Sequence, residues 1–107
     1  MSTVVLIHGA GDVGWSWHLV VAELRALGHD AVTPDLPCED QDAGLPEFAE
    51  TVLAEVGERR DLVVVGHSFG GLTAPLVADR RRDAGLMRLV YLAAMIPAPG
   101  ERPADWW

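Results

Sequence analysis

Cysteine is nearly absent from this chain: Cys38 stands alone, so no internal disulfide can form. Basic residues are scarce as well. Eight Lys and Arg face sixteen Asp and Glu, a net charge of −8 at pH 7. That field repels phosphate backbones and anionic lipid surfaces, so neither nucleic acid nor membrane is expected as a partner. No apolar run approaches the ~20 residues that span a bilayer. The start Met1-Ser2-Thr3 has no basic segment and runs straight into a strand, so a secretory signal is not expected. Together these features predict a soluble cytoplasmic protein. One further absence bears on chemistry: of four histidines, none lies beyond position 67.

What is present is a compact, hydrophobic composition. Half of the 107 residues are hydrophobic and 22% are charged, which argues against disorder. The length suits one domain, 1–107, with a modest core. Thr3 to His8 is a β-branched run of the kind buried on both faces of a parallel sheet. Apolar residues then recur at helical spacing from Trp15 to Leu27 (Trp17, Val20, Val21, Leu24, Leu27), and Gly28 is a natural stop. Ala31-Val32-Thr33 reads as a second strand and Pro34 to Gly44 as an acidic loop. Pro46 suits the first turn of a helix reaching about Arg59, with Phe48, Val52 and Val56 on one face. Leu62 to Val65 is a third strand, Phe69 to about Arg82 a third helix with Pro75 as a kink or early end, and Met87 to Ile96 a fourth strand. Pro103 to Trp107 has no evident packing partner. The alternation predicts an α/β fold, an open parallel sheet of about four strands with helices on both faces.

Two glycine-rich turns fall at the carboxyl edge of that sheet, where such folds bind ligands. The first, Gly9-Ala10-Gly11-Asp12-Val13-Gly14, is formally G-x-G-x-x-G, and Asp35 ends the second strand. Alone, that pair suits a dinucleotide, with pyrophosphate at the helix N-terminus and the acid on the ribose. The second is Gly66-His67-Ser68-Phe69-Gly70-Gly71, directly after an apolar strand. G-x-S-x-G in that setting is the layout of a nucleophile elbow, where flanking glycines clear space around a strained serine. Acyl transfer also needs two N–H donors for the developing oxyanion. The residue after the serine, Phe69, supplies one, and the loop His8-Gly9-Ala10-Gly11 is placed to supply the other. A hydrolase therefore uses both turns, whereas a nucleotide fold leaves the serine turn without a task.

In combination, V-L-I-H-G-A-G at 5–11, G-W-S-W at 14–17, L-x-x-x-G-H-D-A-V-T-P-D-L at 24–36, V-G-H-S-F-G-G at 65–71 and V-Y-L-A-A-M-I-P at 90–97 resemble the N-terminal half of an α/β-hydrolase. The similarity is greatest to the plant-type methyl esterase and hydroxynitrile lyase branch, with His8-Gly9-Ala10 resembling the esterase form of the loop. The resemblance implies Ser68 as nucleophile, the N–H groups of Ala10 and Phe69 as oxyanion hole, and His8, Gly9, Gly66, His67 and Gly70 as support. It implies hydrolysis of a small carboxylic ester without cofactor or metal. In the family the catalytic acid and histidine follow the serine after later strands, beyond a helical cap inserted after the strand matching 88–96. Those parts are absent from these 107 residues, whereas the start looks complete for this branch.

No histidine present is an evident substitute base. His67 adjoins Ser68 on a sharp turn and is expected to pack under the elbow. His8 is expected to shape the oxyanion loop, His18 to sit at a rim and His29 at the surface. Asp12 and Asp35 suit turn and loop roles. Trp15 and Trp17 suit helix packing. Cys38 lies among acids, which disfavour a thiolate, and no group has metal-ligand spacing. Three readings follow: a serine hydrolase needing a base from elsewhere, an inactive or self-associating module pairing through the apolar strand at 88–96, and a dinucleotide binder.

Overall fold

A computed structural model describes residues 2–102. Residues 103–107, for which the sequence offered no partner, lie outside them. Nine short elements run β1 (Thr3–Ile7), a 3-10 turn (Gly14–Trp17), α1 (His18–Ala26), β2 (Asp30–Val32), α2 (Leu45–Val56), β3 (Leu62–His67), a second 3-10 turn (Ser68–Gly71), α3 (Ala74–Arg80) and β4 (Met87–Leu92). The four strands form one sheet in the order β2-β1-β3-β4, every pairing parallel.

The strands alternate between two apolar layers, as a pleat requires. Val5, Ile7, Leu62 and Val64 face the larger core, where α2 contributes Phe48, Val52 and Val56 and α3 contributes Val77. Val4 and Leu6 face the other side and meet Trp17, Val21 and Leu24. Helices thus cover both faces, two on one side and α1 on the other, which is the expected α/β architecture. All five residues of β1 are buried because the strand is flanked by neighbours and covered above and below.

Several boundaries differ from expectation for identifiable reasons. The first helical stretch divides into a 3-10 turn and α1. Val20 and Leu27 face solvent, at 42% and 74% exposure, so the packing stripe is carried by Trp17, Val21 and Leu24. Gly28 does end α1: at φ +88 its N–H bonds the Arg25 carbonyl while the His29 N–H reaches Leu24, the paired bonds of a Schellman stop. α2 ends three residues early because Gly57 takes φ +61. The expected helix from Phe69 is interrupted, and Pro75 sits in the first turn of α3, where its missing N–H costs nothing, instead of kinking a longer helix. β4 stops at Leu92 because Ala93 adopts φ +45 and turns the chain out of the sheet. The apolar edge is therefore shorter than 88–96; Ala93, Ala94 and Met95 are not part of it.

Candidate active site

β1 and β3 are neighbours, and the chain leaves them in opposite directions, to β2 on one side and to β4 on the other. That makes the gap between them the switch point of the sheet, where α/β folds place ligands. Both glycine-rich turns open there.

Ser68 follows the last residue of β3 with φ +54. A residue bearing a Cβ pays for that region in strain, and such strain concentrates at functional sites. The surrounding glycines explain how the turn fits. A Cβ on Gly66 would lie 2.7 Å from the Gly70 carbonyl oxygen, and one on Gly70 would lie 2.7 Å and 2.9 Å from the carbonyl oxygens of Ile7 and His8. Gly70 thus lets the elbow seat directly on the end of β1. The exit of β4 closes over the same turn: the Met95 N–H donates to the Ser68 carbonyl at 2.9 Å, and a Cβ on Gly71 would run into the Met95 carbonyl. That clamp was not legible in the sequence, which reads residues 93–95 as part of the fourth strand.

The first loop touches the elbow. A Cβ built on buried Gly9 would lie 3.4 Å from Ser68 Cβ and 3.7 Å from His67 Nδ1. Beyond it, the Asp12 N–H donates to the Gly9 carbonyl at 3.3 Å, a turn with Gly11 at φ +69 in its third position, where positive φ is required. Ala10 at the turn is exposed and Phe69 half-buried. The two residues border one apolar cleft of about 200 Å³, shared with Gly11, Cys38 and Phe48.

His8 is 1% exposed and structural. Its Nε2 accepts the Leu36 N–H at 3.0 Å, so its Nδ1 carries the proton and donates to the Gly9 carbonyl at 2.7 Å. Both ring nitrogens are committed to holding the loop after β1, which leaves neither to act as a base. His67 is half-buried, edge-on to Trp17 at 6.0 Å between ring centres. With Asp12, Ser16, Trp17, Val20 and Leu92 it lines a second cleft of about 270 Å³. Trp17 is buried, while Trp15 is 72% exposed and stacks on His18, whose Nδ1 donates to the Trp15 carbonyl. His29 Nδ1 accepts the Ser2 N–H at 3.4 Å, on the β2 side of the molecule. Among the described residues no side chain hydrogen-bonds the Ser68 hydroxyl, and no cluster of three or more His, Cys, Asp or Glu could hold a metal.

The two acids near the edge have local partners. Asp12 Oδ1 accepts the Val13 N–H at 2.9 Å, and Asp35 Oδ1 accepts the Gly14 N–H at 2.7 Å. The acid that a dinucleotide would need for its ribose is therefore engaged in tying the first turn to the β2 loop. Gly14 serves that contact too, since a Cβ there would strike the Thr33 backbone. Close packing thus accounts for Gly9 and Gly14 and the positive φ of the turn for Gly11, without a nucleotide.

Comparison with known proteins agrees with this geometry. The family model described as "Alpha/beta hydrolase family" matches residues 4–107. The probable esterase PIR7A of Oryza sativa subsp. indica is 39% identical over 91% of this chain, and the carbendazim hydrolyzing esterase of Nocardioides sp. is 36% identical over 94%. An extracellular alpha/beta-hydrolase from a Paenibacillus species superimposes over the whole chain with a TM-score of 0.88 at 28% identity. The chain spans 40% and 45% of the length of those two esterases and 46% of the solved hydrolase. Among the described residues no helix is long and apolar enough to cross a membrane. The strained serine turn, the loop seated against it and these matches lead to one assignment: the chain belongs to the alpha/beta hydrolase family, and it corresponds to the N-terminal half of its esterase members.

Proposed function

We propose that this chain carries the nucleophile and oxyanion half of a serine esterase acting on a small carboxylic ester. Ser68 Oγ attacks the ester carbonyl carbon and its proton passes to a base. The carbonyl oxygen takes up the negative charge between the Ala10 and Phe69 N–H groups. Collapse expels the alcohol, which leaves with that proton, and water then hydrolyses the acyl-serine. One oxyanion donor is worth about 3–4 kcal/mol of barrier in such sites. His8, Gly9, Gly66, His67 and Gly70 support the turn and its neighbouring loop. The base is external to these 107 residues, supplied by a further segment or a partner chain. Without it, the oxyanion groups and binding sustain ~10³–10⁴-fold acceleration over water.

The observation that carries this reading is Ser68 at φ +54, seated against Gly9 at the switch point. Esterases among the relatives support the substrate class. With the base-bearing segment or partner present, a fluorophosphonate probe is expected to label Ser68, and Ser68→Ala to abolish the label; a folded, base-complemented protein left unlabelled would refute an activated serine. The cytoplasm is the compartment proposed, because the lone Cys38 needs no oxidising environment.

A second reading rests on β4, the last strand of the sheet, which leaves Val90 and Leu92 at 41% and 47% exposure. Edge pairing between copies would cover them. Light scattering at high concentration tests it, and a monomer throughout would refute it.

A further inference from the structure

The apolar cleft beside the elbow is continuous with the molecule's main core. Phe48 on its floor is a buried member of that core, and Cys38 and Phe69 pack against it. Its rim is formed by Ala10 and Phe69, the two residues given the oxyanion role above. A carbonyl held between their N–H groups would therefore lie beside the cleft. A neighbouring cleft shares Gly11 and Cys38 but carries Asp12, Asp35, Glu39 and Asp40. Those acids disfavour any anionic group placed at the shared wall.

We propose that the cleft bounded by Cys38, Phe48 and Phe69 is the acyl-side subsite and selects a neutral, apolar acyl group. This rests on the reading of Ser68 as nucleophile. The cleft's lining of Ala10, Cys38, Phe48 and Phe69 offers apolar surface and no charged side chain. The part of the ester that stays bound to serine suits a cleft floored by the core, because it need not escape until water releases it. Cys38 is half-buried and lines the cleft from the loop after β2, so a larger side chain there would narrow it.

The test keeps the subsite and the nucleophile separate. In the Ser68→Ala chain no acyl transfer is possible, and iodoacetamide alkylation of Cys38, the only thiol, reads occupancy of the cleft. Methyl butanoate is expected to slow alkylation at least threefold at saturation, and monomethyl succinate much less. In the Ser68 chain, phosphonofluoridates that differ only in the carbon-bonded substituent probe the acyl position. Cys38→Phe is expected to lower the rate ratio of P-butyl to P-methyl labelling at least tenfold, the scale at which one methylene is discriminated in an apolar pocket. Cys38→Leu is expected to shift the ratio in the same direction by less, and it serves if the phenylalanine variant does not fold. Equal alkylation rates with and without methyl butanoate would overturn the subsite, whatever Ser68 does. A shift confined to reagents differing in the O-alkyl group would overturn its acyl-side assignment. Protection of Cys38, with Ser68 unlabelled even when the base-bearing segment or partner is present, would uphold the cleft as a binding site and overturn the nucleophile.

Discussion

Replacing Ser68 by glycine is expected to make the protein more stable. Ser68 holds φ +54, and an L-residue there costs about 1–2 kcal/mol from the clash of its Cβ with the backbone. Glycine removes that clash but restores about 0.5–1 kcal/mol of unfolded-chain freedom. The net gain is about 0–1.5 kcal/mol, centred on ~0.75 kcal/mol. For a domain of this size each kcal/mol moves Tm by about 4–8 °C, so Tm should rise by about 3–6 °C at that centre. Ser68→Ala is the reference, because it removes the hydroxyl and keeps the Cβ. Among the described residues that hydroxyl has no hydrogen-bond partner, so the alanine variant should stay within about 0.5 kcal/mol of the parent. Thermal unfolding by circular dichroism, with urea titration to check that the m-value is unchanged, gives both numbers. A glycine variant no more stable than the alanine variant, at equal m, would refute the strain account of the elbow.

Three other outcomes follow from the packing. Gly70→Ala forces a Cβ against the Ile7 and His8 carbonyl oxygens, so a loss of about 1–3 kcal/mol is expected in urea, together with slower probe labelling of Ser68. His8→Ala leaves the buried Leu36 N–H without its acceptor; the unsatisfied donor costs about 1–3 kcal/mol, and exchange of that amide, read by NMR, should accelerate. The Arg59 guanidinium beside Asp30 holds its carboxyl below the usual value of 3.8. A lowered folded value means stabilisation present at neutral pH and lost as pH falls through it. Asp30→Asn should therefore cost less than about 1 kcal/mol near neutrality, as suits an exposed pair, and the gap to the parent should close below about pH 4.

Much of the fold was legible because it rests on short-range patterns. The β-branched run at Thr3–Ile7 could only be a doubly covered strand. Phe48, Val52 and Val56 recur at helical spacing, and all three are buried. Gly28 reads as a helix stop because few other residues accept φ +88. The serine turn was legible because glycine spacing around it encodes backbone contacts. What escaped the sequence depends on contacts between distant segments. Nothing local shows that Asp35 would reach the Gly14 N–H, or that the chain would divide into a 3-10 turn and α3 so that Gly66 and Gly70 could touch. The end of β4 was misplaced because Leu92 to Ile96 stays apolar after the strand has stopped. There the chain meets the elbow through the Met95 backbone, which no side-chain pattern reports.

The bond from the Met95 N–H to the Ser68 carbonyl has a consequence for motion. Among the described residues β4 pairs with β3 alone, and regions of low local contact density are where native proteins open at least cost. Because the segment leaving that strand is tied to the serine turn, fraying of the sheet's margin and loosening of the elbow are a single event. The exchange lifetime of the Met95 amide therefore times how long Ser68 keeps its geometry.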